Sequence, residues 1–312
     1  MSETLNPDGI SVSAFGMSDV GRVRKNNEDN FVIFNLSTGE NFSSLHHDSH
    51  SALSHPLGPL GTLFLVADGM GGESSGEVAS SICASIVPGR LYENLKSAGT
   101  VTLAHFVSSL REAIEYANRS IFEKAQNDED FRGMRTTATA AALLGSWLVV
   151  AQVGDSRAYL YRNAELVQLT HDQTFLNYLL ETGAEFPGNV EHDNRKSILT
   201  QAVGTSATVD VKVIYTDLHA ADRILLCSDG LYNMVRKEDI ARIISGDAAL
   251  AEKCRALVEM AGQRGGVDNV TVVMAEVTGV GLPPSGPGAR VELKEFQEEI
   301  STHHGSVRKQ RS

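Results

Sequence analysis

Apolar residues recur along the chain in clusters whose spacing defines two kinds of segment. Phe31–Leu36, Thr62–Ala67, Thr137–Leu144, Trp147–Val153, Ala158–Arg162, Arg223–Cys227 and Asn269–Val277 are short apolar runs rich in Val, Ile, Leu or aromatic residues. That pattern predicts strands. Glu73–Leu95, Leu103–Gln126, Thr174–Thr182, Lys237–Ile244 and Ala248–Gly262 carry apolar residues at helical spacing. Several strands follow one another with no helix between them, and the two longest helices are consecutive. This order argues against a repeated strand–helix–strand parallel sheet. It suits antiparallel sheets flanked by helices.

The pattern fades in three places. Residues 1–9 read as a loose N-terminus. Residues 35–61, rich in Ser, His and Gly, read as a surface loop insertion; their histidines, among them His46, His47 and His55, have no fixed metal-site spacing. After a Pro/Gly stretch that begins at Gly279, residues 279–312 read as a flexible tail. A single domain is therefore expected over residues 10–278.

Composition narrows the function. Hydrophobic residues make up 42% and charged residues 21% of the 312, an ordinary balance for a globular protein. The net charge of −12 disfavours a nucleic-acid or anionic membrane partner, because either needs a basic face. The three cysteines, Cys83, Cys227 and Cys254, are widely spaced and lie in apolar runs. They read as small buried hydrophobes rather than as a disulfide framework or zinc site. The start has no basic region followed by an apolar one, and no apolar run is long enough to cross a bilayer. The cytoplasm is the expected location.

The chemistry lies in the aspartates. Asp68 ends the run LFLVA and opens DGMGG, and Asp155 follows LVVAQVG and opens DSR. Asp229 follows RILLCS and opens DGL, and Asp268 stands in GGVDN just before VTVVM. A carboxylate at the end of a buried strand needs compensation. One Asp-Gly pair is most simply a turn. Four strand-end carboxylates in or beside glycine turns can instead converge at one edge of a core, as hard oxygen ligands for Mg²⁺ or Mn²⁺.

The surrounding words occur in order. They are SDVGRVRKNNEDNF from Ser18, LVADGMGGESSGE from Leu65, VGDSRAYLYR from Val153, LTHDQT from Leu169, ILTQAVG from Ile198, LLCSDGLYNMV from Leu225 and GGVDNVTVVM from Gly265. Together they resemble the bacterial form of the PP2C-type, metal-dependent protein serine/threonine phosphatases, from Ser11 to Val277. The resemblance implies an α+β fold, a four-layer αββα sandwich of two antiparallel sheets flanked by helices. It implies two Mn²⁺ or Mg²⁺ ions and room for a third, weaker one. Asp68 resembles the carboxylate that bridges two metals, and the Gly69 carbonyl resembles a ligand of one of them. Asp229 and Asp268 are similar to ligands of the other, and Glu28 to the acid that supports the first. Asp29 and Asn269 take the place of supporting partners. Arg24 resembles the phosphate-binding arginine, and Asp155, with Asp229, is the candidate for the third ion. The family's chemistry is attack on phosphorus by a water whose pKa two metals lower, with no covalent intermediate.

Three motifs depart from the family pattern. Met70 stands where eukaryotic members often have histidine, Gln173-Thr174 replace a common His-Ser, and Gln201 stands where arginine is frequent. The expected partners are phosphorylated proteins and an opposing Ser/Thr kinase, with the chain acting as a monomer. Competing readings are a phosphatase for a phosphorylated anti-sigma-factor antagonist, a non-catalytic binding module and a hydrolase of small phosphate esters. The intact set of aspartates disfavours the binding module.

Overall fold

The computed structural model describes residues 9–42, 50–71, 75–184, 194–286 and 288–296. The chain opens with β1 (Ile10–Asp19), β2 (Asp29–Asn35), β3 (Glu40–Asn41), β4 (His50–Pro56) and β5 (Thr62–Met70). Helices α1 (Ser75–Lys96) and α2 (Leu103–Asn127) follow. Next come β6 (Arg135–Thr136), β7 (Ala138–Leu144), β8 (Trp147–Val153), β9 (Arg157–Arg162) and β10 (Glu165–Gln168), then α3 (Phe175–Thr182). The chain continues through β11 (Lys212–Asp217), β12 (Arg223–Cys227), α4 (Asp229–Tyr232), α5 (Lys237–Ser245), α6 (Leu250–Gln263), β13 (Val270–Gly279) and β14 (Lys294–Glu295).

The strands form two antiparallel sheets. One runs β10-β9-β12-β13-β1-β4, and the other β14-β11-β8-β7-β5-β2-β3, with β6 attached to β5. Their facing sides bury Phe31, Ile33, Phe64, Val66, Leu226 and Val273 in one core. On the outer face of the second sheet, α1 and α2 seal a core through Cys83, Val87, Leu91, Phe106, Leu110 and Ile121. Cys83, Val87 and Leu91 in α1, like Phe106, Leu110 and Ile114 in α2, recur every four residues, the apolar stripe of a half-buried helix. On the outer face of the first sheet, α5 and α6 do the same through Ile240, Ile244, Cys254 and Leu257. The result is the expected four-layer αββα sandwich. All three cysteines are free and buried. No described helix is long and apolar enough to cross a membrane.

Two expectations need correction. The stretch read as a loop insertion, residues 35–61, contributes β4 to an edge of the first sheet, with Val12 opposite His55 and Ala14 opposite Leu53. His55 is tied into the fold through Asn35 (3.3 Å) and Thr62 (3.1 Å). Its polar composition reflects an edge strand with one open side. His46 and His47 lie outside the described residues, as do residues 1–8 of the N-terminus. The stretch read as a flexible tail also packs against the domain over its described part. Leu282 is buried, Val291 packs against the core between the sheets, and Phe296 packs under the helical layer. Tyr215 and Ile214 of β11 pair with Lys294 and Glu295 of β14. Glycine and proline there shape a return path along the surface. Residues 297–312 are outside the described part.

Candidate active site

Antiparallel order places the ends of outgoing strands and the starts of returning strands at the same edge. β1, β5, β8 and β12 end at one end of the sandwich, where β2, β9 and β13 begin. In the pairing of β2 with β5, Asp29 stands opposite Asp68. Asp155 follows β8, Asp229 opens α4 after β12, and Asp268 precedes β13. The strand-end aspartates thus meet although they are scattered along the sequence. Arg24, Glu28, Asp68, Asp155, Asp229 and Asp268 line one cleft of about 280 Å³, with Gly69 in its wall.

Local bonds explain why each residue sits there. The Asp68 backbone is pinned by Thr136 and Thr137: its N–H donates to Thr137 Oγ1 (2.9 Å), and its carbonyl accepts from Thr136 Oγ1 (2.9 Å). Glu28 is fixed through its main chain. Its N–H donates to Asn269 Oδ1 (2.8 Å), and its carbonyl accepts from Gly69 N (3.1 Å) and Ser80 Oγ (2.5 Å). Asn269 Nδ2 donates to the carbonyls of Val20 (3.0 Å) and Asn26 (2.9 Å), sewing the Arg24 loop to the start of β13. Asp29 points between the sheets, where Ser228 and Thr271 each donate a 2.7 Å hydrogen bond to its Oδ2. Asp29 therefore does not line the cleft but braces its floor. At the rim, Arg24 pairs with Asp268 at 2.8 Å.

Two glycines make the wall possible. A Cβ on Gly69 would run into the carbonyl oxygens of Gly76 and Glu28. A Cβ on Gly76 would stand 2.7 Å from Glu28 Oε1. Only a bare backbone lets α1 approach this closely.

Five carboxylates and one guanidinium line the cleft, so its charge is uncompensated. Burial, and then the charges of Asp29, Asp229, Asp155 and Asp268, raise the Asp68 pKa well above the carboxylate range. Burial and the charges of Asp155 and Asp268 push Asp229 up to about 8. Burial, with Asp172 nearby, pushes Asp155 up to about 6, and burial also raises Glu28. These shifts describe a site that lacks positive charge. Hard oxygen donors crowded in this way fit a divalent cation. Among the described residues, no three such side chains close around a single point. Carboxylates spaced around a cleft instead suit ions that also take a backbone carbonyl and waters.

The sequence as a whole gives the same answer. The family model for protein phosphatase 2C matches residues 44–270. The chain belongs to the protein phosphatase 2C family. It is 33% identical over 259 residues to the serine/threonine phosphatase stp of Listeria monocytogenes, a match covering 83% of this chain and 93% of that one. The S. agalactiae serine/threonine phosphatase structure superposes with a TM-score of 0.70 at 30% identity, covering 84% of this chain and 98% of that one. The catalytic domain of the phosphatase PstP, solved with two manganese ions, superposes with a TM-score of 0.66 at 31% identity, covering 86% and 99%.

In this phosphatase fold, several supporting residues escaped the sequence reading. Arg157 clamps Asp172 with both Nε (3.0 Å) and Nη2 (2.6 Å). Its guanidinium lies 3.5 Å from the centroid of the Tyr232 ring. The Tyr232 hydroxyl in turn donates to the Asp155 carbonyl (3.1 Å). All three residues stand inside the motif words, but only their contacts distinguish them from ordinary strand and turn residues. Ser228 and Thr271 were equally silent, because a hydroxyl beside a strand carries no pattern of its own.

Proposed function

We propose that the chain hydrolyses phosphoserine and phosphothreonine in proteins, with Mn²⁺ or Mg²⁺ held by Glu28, Asp68, the Gly69 carbonyl, Asp229 and Asp268. Asp155 and Asp229 are available to a third ion. The observation that carries this reading is the cleft itself: five carboxylates face one guanidinium. The relatives support it, since they are named serine/threonine phosphatases and one was solved with two manganese ions.

When bound, the metals supply an acidified water and positive charge opposite the phosphoryl oxygens. The chain's own residues do the rest. Arg24, half-exposed at the rim, keeps N–H groups beyond its bond to Asp268 for a phosphate oxygen. Asp29 and Asn269 hold the Glu28 loop against β13, so the acids keep their spacing. The substrate class implies an opposing Ser/Thr kinase, and the cytoplasm, where free thiols persist, fits the three unpaired cysteines.

The test is hydrolysis of p-nitrophenyl phosphate and of a phosphothreonine peptide, with and without Mn²⁺, by the native chain and by Asp229→Asn. Both substrates should turn over only with metal, and the variant should lose about a hundredfold or more. A folded native chain that is inactive with every divalent metal would overturn the reading.

A further inference from the structure

Exposed apolar side chains gather at the mouth of the catalytic cleft. Among the described residues, eight large apolar side chains stand open to solvent. Three of them, Val23 at 65%, Val267 at 49% and Ile198 at 56%, are chain neighbours of residues that line the cleft. Single exposed apolar residues need no explanation, but a concentration at the edge of a reactive site marks a contact surface.

The two valines come from distant parts of the chain and share one stretch of rim. Val23 precedes Arg24 and Val267 precedes Asp268, and these two cleft residues meet in the 2.8 Å ion pair. The loops that carry them are also joined through the backbone. The Arg22 N–H donates to the Gly266 carbonyl at 2.8 Å, and Gly21 lies so close to the Asp268 carbonyl that a Cβ has no room. The Gly21 N–H donates to Asp19 Oδ1 at 2.8 Å, and Asn269 Nδ2 holds the carbonyls of Val20 and Asn26, one on each side of Val23. The valines thus stand on a braced backbone, and a preorganised surface gives up little entropy when it is covered. Neither valine belongs to a core cluster, and neither is in the lining of the cleft itself. Both stand outside it, where the residues that flank a phosphorylated one must pass.

We propose that Val23 and Val267 form an apolar subsite for the substrate polypeptide, one that takes an aliphatic side chain close in sequence to the phosphorylated residue. The inference rests on the phosphoprotein phosphatase reading and names what the rim of that site selects. Arg22 and Lys25, exposed on the same loop, would select acidic neighbours instead. Exposed charges are the ordinary content of a surface loop, whereas an exposed valine pair with no place in a core calls for a partner.

The experiment uses the full chain with Mn²⁺ and phosphothreonine peptides that carry leucine, serine or aspartate at each flanking position in turn, with p-nitrophenyl phosphate as the substrate without a chain. At one flanking position or more, kcat/KM should favour leucine over serine about tenfold. The double variant Val23→Ser, Val267→Ser should erase that preference by raising KM for the leucine peptide, and leave p-nitrophenyl phosphate hydrolysis unchanged. Both side chains are exposed, so these changes cost the fold little. Ile198→Ser, on the other side of the cleft, should leave the leucine preference in place. A flat scan, a preference for aspartate, a leucine preference that survives the double variant or is erased by Ile198→Ser, or an equal loss on both substrates would overturn the proposal. Absence of any turnover by the native chain would instead count against the phosphatase reading itself.

Discussion

At the scale of single residues, the site depends on what is missing as much as on what is present. Gly76 has no side chain because Glu28 Oε1 would lie 2.7 Å from its Cβ. Gly76→Ala should displace Glu28 and the Gly69 carbonyl carbon, 2.8 Å from the added Cβ, and weaken Mn²⁺ binding about ten- to a hundredfold with the secondary structure intact, as read by calorimetric titration and circular dichroism. Unaltered affinity would contradict a metal-binding role for this wall of the cleft, Glu28 and the Gly69 carbonyl included. The cysteines give a second check. Burial pushes the thiols of Cys83, Cys227 and Cys254 up to about 12. Burial disfavours the thiolate, so all three should stay protonated and inert to a thiol reagent at pH 8, and all should react once the chain is unfolded in guanidinium. Rapid labelling of the folded protein would contradict their burial.

At the scale of elements, legibility followed burial. Strands covered on both faces, such as β7 and β8, are continuous apolar runs and were found within a residue of their ends. β1 was missed because its buried positions include Ala14 and Gly16, which carry little hydrophobic signal. β11 was missed because its apolar residues are only Val213, Ile214 and Tyr215, bounded by Lys212 on one side and Thr216 and Asp217 on the other. β4 and β14 are edge strands, and an edge needs only one apolar face. The packed segment after Gly279 yields a direct prediction. A chain ending at Gly279 loses the buried Leu282 together with Val291, Phe296 and the cover of β11. Urea denaturation should show a loss of at least about 1.5–3 kcal/mol, the worth of one buried aliphatic side chain. An unchanged midpoint would mean that the segment does not pack in solution.

At the scale of the whole molecule, the fold gathers residues from Arg24 to Asp268 at one end of a two-sheet sandwich. The aspartates were legible because each borders an apolar run, Asp68, Asp155 and Asp229 after one and Asp268 before one, where a charge has no structural use. Their supports were not, because Asn269, Ser228 and Thr271 act only through partners that are distant in sequence. The cluster of like charges leaves the cleft short of positive charge, so bound metal should also raise the melting temperature by mass action. The central claim is that Asp68 joins two metals in this cleft. Calorimetric titration of Mn²⁺ into the native chain and into Asp68→Asn tests it most directly. The native chain should bind two ions tightly, and the variant should lose both tight sites. Two tight sites retained in Asp68→Asn would contradict the account.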